Sequence, residues 1–324
     1  MTASAAPSSP VPLGSPLFTG SADVRSLALA AVGAAAPRKE RVETASRGNL
    51  VLRDIDVNFP GSTIQALHDV SLTCKPGEFV VVVGPSGCGK STLLNVAAGM
   101  LKQAKGAVLL DGRRTNGPSP DRAMVFQDHG LFPWLTTAQN IEFGLKMLKV
   151  GKDERGARVD AALQLVHLQT KRDKLIHELS GGMRQRVAIA RALVMDPAVL
   201  LMDEPFASLD AQTRTLLHGQ LQEIWAETKK TILFVTHSVG EAVRLADRII
   251  VLHSHPGRIR REVMVPLAHP RNPDSEDISE ITRVVRKEIE DEVNRVNAEM
   301  AEEYWNPQAA ARLAINSGML GDGI

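Results

Sequence analysis

Apolar positions follow two rhythms along this chain. In Val51-Leu52-Arg53-Asp54-Ile55-Asp56-Val57-Asn58-Phe59 and again in Ala66-Leu67-His68-Asp69-Val70-Ser71-Leu72-Thr73-Cys74 they alternate with polar ones, as in half-buried antiparallel strands. Other short runs are apolar almost throughout, chiefly Phe79-Val80-Val81-Val82-Val83, Ala198-Val199-Leu200-Leu201-Met202, Thr231-Ile232-Leu233-Phe234-Val235 and Ile249-Ile250-Val251-Leu252, and their lengths suit strands buried in a core. Shorter strands are expected over residues 107–110, 123–127 and 261–265. Helical spacing takes over between residues 136 and 174, with Ile141, Leu145 and Leu148, then Val159, Leu163, Val166 and Leu168, and a polar link over 149–158 between the two sets. Further helices are expected over 93–98, 187–195, 213–228 and 241–246. A long amphipathic helix over 274–304 carries the stripe Ile278, Ile281, Val285, Ile289, Val293, Val296 and Met300.

This pattern predicts an α/β fold with a parallel core, an antiparallel β subdomain, and a helical subdomain inserted at about residues 128–183. Residues 48–270 are expected to form the main domain, and 271–324 an amphipathic C-terminal helix and tail whose stripe is expected to pack on that domain, with a dimer seam or regulatory contact as the alternative. Residues 1–47 are rich in Ala, Ser and Pro and have too little apolar surface to offset their ordering entropy, so a disordered extension is expected there.

Composition narrows the function classes. Among 324 residues, 38 Lys and Arg oppose 37 Asp and Glu, for a formal charge of +1, so no broad basic surface suggests nucleic-acid binding. No run reaches the roughly 18 apolar residues that cross a bilayer. The alanine-rich stretch at 27–36 lies too far in to match a secretory signal. The two cysteines, Cys74 and Cys88, suit a reducing compartment.

The densest chemistry lies in Gly84-Pro85-Ser86-Gly87-Cys88-Gly89-Lys90-Ser91-Thr92, placed between an apolar strand and a helix. The spacing G-x-x-x-x-G-K-[S/T] lets the backbone curl around a phosphate with its N–H groups inward. The following helix offers unpaired donors and partial positive charge. Lys90 then reaches the β- and γ-phosphates, and the Ser91 hydroxyl sits on Mg²⁺. Phe59, at the end of a strand, could stack on adenine or serve as a core residue. Gln127, ending another strand, could offer an amide oxygen to a hard cation, with a solvent-facing strand-end residue as the simpler reading. Ser180-Gly181-Gly182 at a helix start forms a second anion-binding nest, with a plain N-cap as the simpler reading of Ser180. The buried strand ending in Asp203-Glu204 is costly to desolvate without a cation or a reacting water nearby. His237 ends a parallel strand, where ligands bind in open α/β sheets.

These residues resemble the nucleotide-binding subunit of an ABC transporter. Five motifs carry the likeness over residues 50–267: GPSGCGKST, the glutamine of VFQ, LSGGMRQR, LLMDEP with SLD, and the histidine of FVTH. The segments Phe132-Pro133-Trp134-Leu135-Thr136 and Pro256-Gly257-Arg258-Ile259 bring it closer to subunits of bacterial nitrate, sulfonate and taurine importers. The resemblance implies a P-loop ABC ATPase that binds ATP with Mg²⁺ and forms a head-to-tail homodimer, in which Ser180, Gly181 and Gly182 of one subunit grip the γ-phosphate held by Lys90 of the other. It implies that Ser91 and Gln127 hold Mg²⁺, Asp203 supports the metal, Glu204 polarises the attacking water, Asp210 contacts the dimer partner and His237 contacts the γ-phosphate. It also implies a separate integral-membrane permease docking near Phe132 and Trp134, an extracytoplasmic solute-binding protein, and a place at the cytoplasmic face of the inner membrane. The competing class is an ABC ATPase of DNA repair or translation; its usual long coiled coils, zinc cysteines or paired cassettes do not occur in this sequence. A small-molecule kinase would share the first glycine loop but has no use for LSGGMRQR. The transported solute is not readable from this chain.

Overall fold

The computed structural model describes residues 47–59, 65–271 and 275–305, the side chains of 299–305 excepted. The expected extension over 1–47 lies, but for its last residue, outside the described residues, as does the tail beyond 305.

A six-stranded sheet forms the core. It comprises β3 (Phe79–Val83), β6 (Arg122–Val125), β7 (Val199–Asp203), β8 (Thr231–Thr236), β9 (Arg248–His253) and β10 (Arg258–Met264), in the order β10-β9-β3-β8-β7-β6. Every pairing from β9 to β6 is parallel, and β10 joins the edge antiparallel to β9. The apolar runs are explained by burial on both faces. Phe79, Val81 and Val83 point into one hydrophobic cluster, and Val80 and Val82 into the other. All five are fully buried, each valine contributing about 1.5–3 kcal/mol relative to exposure.

The alternating segments pair as expected. The strands β1 (Leu50–Asn58) and β2 (Gln65–Cys74) are antiparallel, and with β4 (Lys105–Leu110) and the two-residue β5 (Arg113–Arg114) they form a second sheet. The register of β1 shifts between Leu52 and Ile55, where Asp54 adopts φ 51°. This bulge resets which residues face inward.

On one face of the core sheet lies α1 (Lys90–Ala98) with the antiparallel sheet. The other face carries α4 (Gly181–Leu193), α5 (Ala211–Thr228), α6 (Val239–Leu245) and the helical insertion of α2 (Thr137–Met147) and α3 (Lys152–Leu165). The long helix α7 (Glu276–Trp305) buries Ile278 and Val285 in the same cluster, with Ile281 and Ile289 packed against it.

Some boundaries differ from the sequence expectation. Residues 152–158 were expected in a polar link but form the first two turns of α3. Asp153 and Glu154 stand at its positive end, and Arg158 pairs with Glu154 one turn away. Helix α4 starts at Gly181, not 187, because Ser180 caps it. The last strand starts at Arg258, not 261, and β5 is too short to produce a period.

Candidate active site

The phosphate loop leaves β3 at Gly84 and enters α1 through Gly89, whose φ is 95°. A side chain at Gly89 would add about 1–2 kcal/mol of left-handed strain, and its Cβ would meet Leu67 Cδ2 at 2.7 Å and the Ala66 carbonyl at 2.9 Å. Gly87 is also left-handed, at φ 79°. Thr136, Ser180, Asp210 and Ser238 cap the N-termini of α2, α4, α5 and α6 with side-chain hydrogen bonds. Helix α1 has no such cap and no acidic residue in its first turn. Its leading N–H groups and positive end thus remain available to an anion.

A cleft of about 440 Å³ opens over this helix end. Its wall includes Phe59, Gln65, Ala66, Ser86, Gly87, Gly89, Lys90, Ser91, Thr92, Glu204 and His255. Phe59 is 43% exposed, so it presents its ring to the cleft instead of joining the core. Lys90 is buried along its stem, and its ammonium donates to the carbonyls of Gly84 at 2.9 Å and Pro85 at 2.8 Å. Burial raises the Cys88 thiol above its ordinary pKa, so this cysteine is a neutral packing residue of the loop.

Parallel pairing brings the ends of β7 and β8 beside the loop. Ser91 Oγ donates to Asp203 Oδ1 at 3.0 Å. Burial raises the Asp203 carboxyl above its ordinary value, the adjacent Glu204 charge adds to this, and the Ser91 hydrogen bond opposes it. Glu204 sits at φ 41°, held there by its N–H donating to the Val235 carbonyl at 3.0 Å. Its Oε2 lies 2.8 Å from Nδ1 of His237. His237 stands on a braced strand end: Thr236 Oγ1 donates to Glu241 Oε2 at 2.6 Å, and His218 Nε2 lies 3.3 Å from Glu241 Oε1.

The remaining sequence candidates lie elsewhere. Gln127 is exposed two residues beyond β6 and does not line the cleft. Ser180, Gly181, Gly182 and Asp210 are also absent from the wall. Ser180 accepts from the Met183 N–H at 3.3 Å, and Asp210 from the Thr213 N–H at 2.9 Å. The double glycine also has a packing cause within one subunit: a Cβ at Gly182 would meet Thr213 Cγ2 at 2.5 Å, and one at Gly181 would lie 3.2 Å from Leu209 Cδ2. Ser180 remains exposed. Sequence reasoning missed His255 as a wall residue, although it follows a parallel strand just as His237 does.

Near the helical insertion, Trp134 is 72% exposed. Its ring lies 5.6 Å from Phe132, which lies 4.5 Å from Phe143. Arg191 of α4 ties this region to the segment after Gln127 by donating to the carbonyls of His129 at 2.8 Å and Gly130 at 2.6 Å.

Residues 67–207 match the family model described as ABC transporter. The chain is 47% identical over 222 residues to the taurine import ATP-binding protein TauB of Jannaschia sp., covering 68% of this chain and 83% of that one. It is 48% identical over 223 residues to TauB of Pelagibacter ubique, covering 68% and 84%. Among solved structures, a dimeric post-hydrolysis ATP-binding cassette bound to ADP and Pi aligns with a TM-score of 0.59 at 34% identity, over 68% of this chain and all of that one. The cbiO1 protein of Clostridium perfringens, part of the ABC transporter complex cbiONQ, aligns with a TM-score of 0.63 at 30% identity, over 79% and 99%.

Proposed function

The chain belongs to the ABC transporter ATP-binding family, and from that premise we propose that it powers import of taurine or a related small sulfonate through a separate permease, by ATP-driven head-to-tail pairing of two copies. The observation that carries the catalytic part is the Glu204–His237 contact beside Ser91 and Asp203. A carboxylate held by an imidazole at the end of a phosphate cleft can orient and deprotonate water. Such a base contributes 10²–10⁴-fold in rate.

In this reading Phe59 stacks on adenine, the loop from Gly84 to Thr92 wraps the phosphates, and Lys90 exchanges its two carbonyl partners for β- and γ-phosphate oxygens. His237 holds Glu204 in place and meets the γ-phosphate. The donor set also fits Mg²⁺: Ser91 and Asp203 offer hard oxygens, and a dication would relieve the repulsion between Asp203 and Glu204. Among the described residues no cluster of three or more His, Cys, Asp or Glu could cage a metal alone. Ser91 and Asp203 would hold the cation together with the phosphates, whose charge it offsets when bound, while Gln127, which the resemblance adds as a ligand, stands outside the cleft wall in this structure.

The cleft of one subunit lacks the second nest. Exposed Ser180, with Gly181, Gly182 and Asp210, is free to meet the γ-phosphate held by a second copy. No described helix is long and apolar enough to span a membrane, so transport needs a partner that does. The exposed Trp134, backed by Phe132 and Phe143, supports docking of such a permease at the inner membrane's cytoplasmic face. An extracytoplasmic receptor would supply the solute.

The test is uptake of radiolabelled taurine and short alkanesulfonates by cells lacking the chain. Wild type should restore uptake, while Trp134→Ala should lower it at least tenfold with ATPase activity retained. Failure of wild type to restore uptake of either solute sinks the solute class. Full uptake by Trp134→Ala sinks the docking site.

A further inference from the structure

The nucleotide cleft has a wall that none of the five motifs supplies. His255 follows β9 and shares the cleft with Phe59 and Lys90. In the core sheet β9 lies on one side of β3, whereas β8 and β7, which carry His237, Asp203 and Glu204, lie on the other. His255 therefore approaches the phosphate loop from the flank opposite the hydrolytic residues. A donor on that flank faces the parts of a nucleotide that hydrolysis leaves unchanged.

The turn bearing His255 is fastened at both ends. On one side it docks on the phosphate loop and on β2. The Gly257 N–H donates to the Ala66 carbonyl at 3.1 Å, and its carbonyl accepts from the His68 N–H at 2.9 Å. A Cβ at Gly257 would collide with the Cys88 carbonyl. On the other side the turn is clamped by α7. The fully buried Glu292 accepts from the Ser254 N–H at 2.7 Å and lies 2.7 Å from His253 Nδ1. Arg260 and Arg295 donate to the same carboxylate, and Arg295 also donates to the Ser254 carbonyl at 2.7 Å. Between these anchors His255 sits at φ 53°, a left-handed conformation uncommon for a residue with a Cβ. The Cys88 thiol, pushed up chiefly by burial, also feels the Glu292 charge, so the clamp acts within electrostatic range of the loop.

We propose that His255 is a nucleotide-binding residue that donates a hydrogen bond to the ribose or α-phosphate, and that Glu292 of the C-terminal helix is a positioning residue that sets nucleotide affinity through it. This rests on the cleft being the nucleotide site.

The test titrates the full-length chain with ADP and with a non-hydrolysable ATP analogue, in the presence of Mg²⁺. His255→Ala should raise Kd for both about tenfold and by the same factor, the loss expected for one hydrogen bond. The loss in ATPase activity should appear in KM more than in kcat. His255→Gln, which keeps a donor, should recover most of the affinity. Glu292→Gln should weaken both nucleotides about threefold in the wild-type background and not at all in His255→Ala, a coupling that a general loss of stability would not produce. Wild-type affinity in His255→Ala, or weakening confined to the ATP analogue, overturns the binding role. An equal effect of Glu292→Gln in both backgrounds, or none in the wild type, overturns the positioning role. Absence of nucleotide binding by wild type itself would be a failure of the site, and separable from either.

Discussion

At the scale of single residues, the chemistry depends on which oxygen is charged and what holds it. Glu204 keeps 20% of its side chain exposed at the cleft wall, and its imidazole partner His237 is largely exposed, so both can reach a ligand in the cleft. Replacing Glu204 by Gln keeps the shape and removes the proposed base. Turnover should fall 10²-fold or more, while ATP binds at wild-type affinity, as measured by single-turnover hydrolysis and by titration. Hydrolysis within threefold of wild type would remove Glu204 from this role. The phosphate loop was legible in the sequence, because a glycine loop between an apolar strand and a helix has few other uses. His255 and Glu292 were not. An acidic residue on an amphipathic helix reads as solvent-facing, and its burial follows from Arg260, His253 and a backbone N–H that stand 32 to 39 positions away.

At the scale of elements, the buried strands were the most readable feature, since runs buried on both faces of β3 and its neighbours carry an unmistakable composition, whereas their order in the sheet was not readable. Bulges such as that at Asp54 and the polar first turns of α3 were hidden, because periodicity records only which side is buried. The helix α7 is attached to the sheet by charge as well as by Ile278 and Val285. Burial works to raise the Glu292 carboxyl, but Arg295, the Ser254 N–H and His253 hold it down at about 2, against an ordinary value of 4.5. Its folded pKa is depressed, so its stabilising contribution is fully present above pH 4.5 and is lost as the pH falls through 2. Glu292→Gln should therefore cost about 2 kcal/mol at pH 7, the worth of a charge-assisted hydrogen bond. The gap to wild type in thermal melts should close between pH 4.5 and pH 2. A gap independent of pH would show that the carboxylate is not held as described.

At the scale of the whole molecule, the two half-sites proposed for one chain do not meet. The cleft over α1 gathers the phosphate loop, Glu204 and His255, whereas Ser180 and Asp210 stand exposed outside it. Each half would become complete only against a second copy turned head to tail, and closing that pair on ATP is the motion a permease could harness. The most direct measurement is the mass of Glu204→Gln in solution by sedimentation, with and without ATP and Mg²⁺. The account predicts twice the mass of one chain when ATP is bound, reverting to a single chain when ATP is removed or when Ser180→Arg is added. A protein that stays monomeric with ATP bound, even in the presence of its permease, would contradict it.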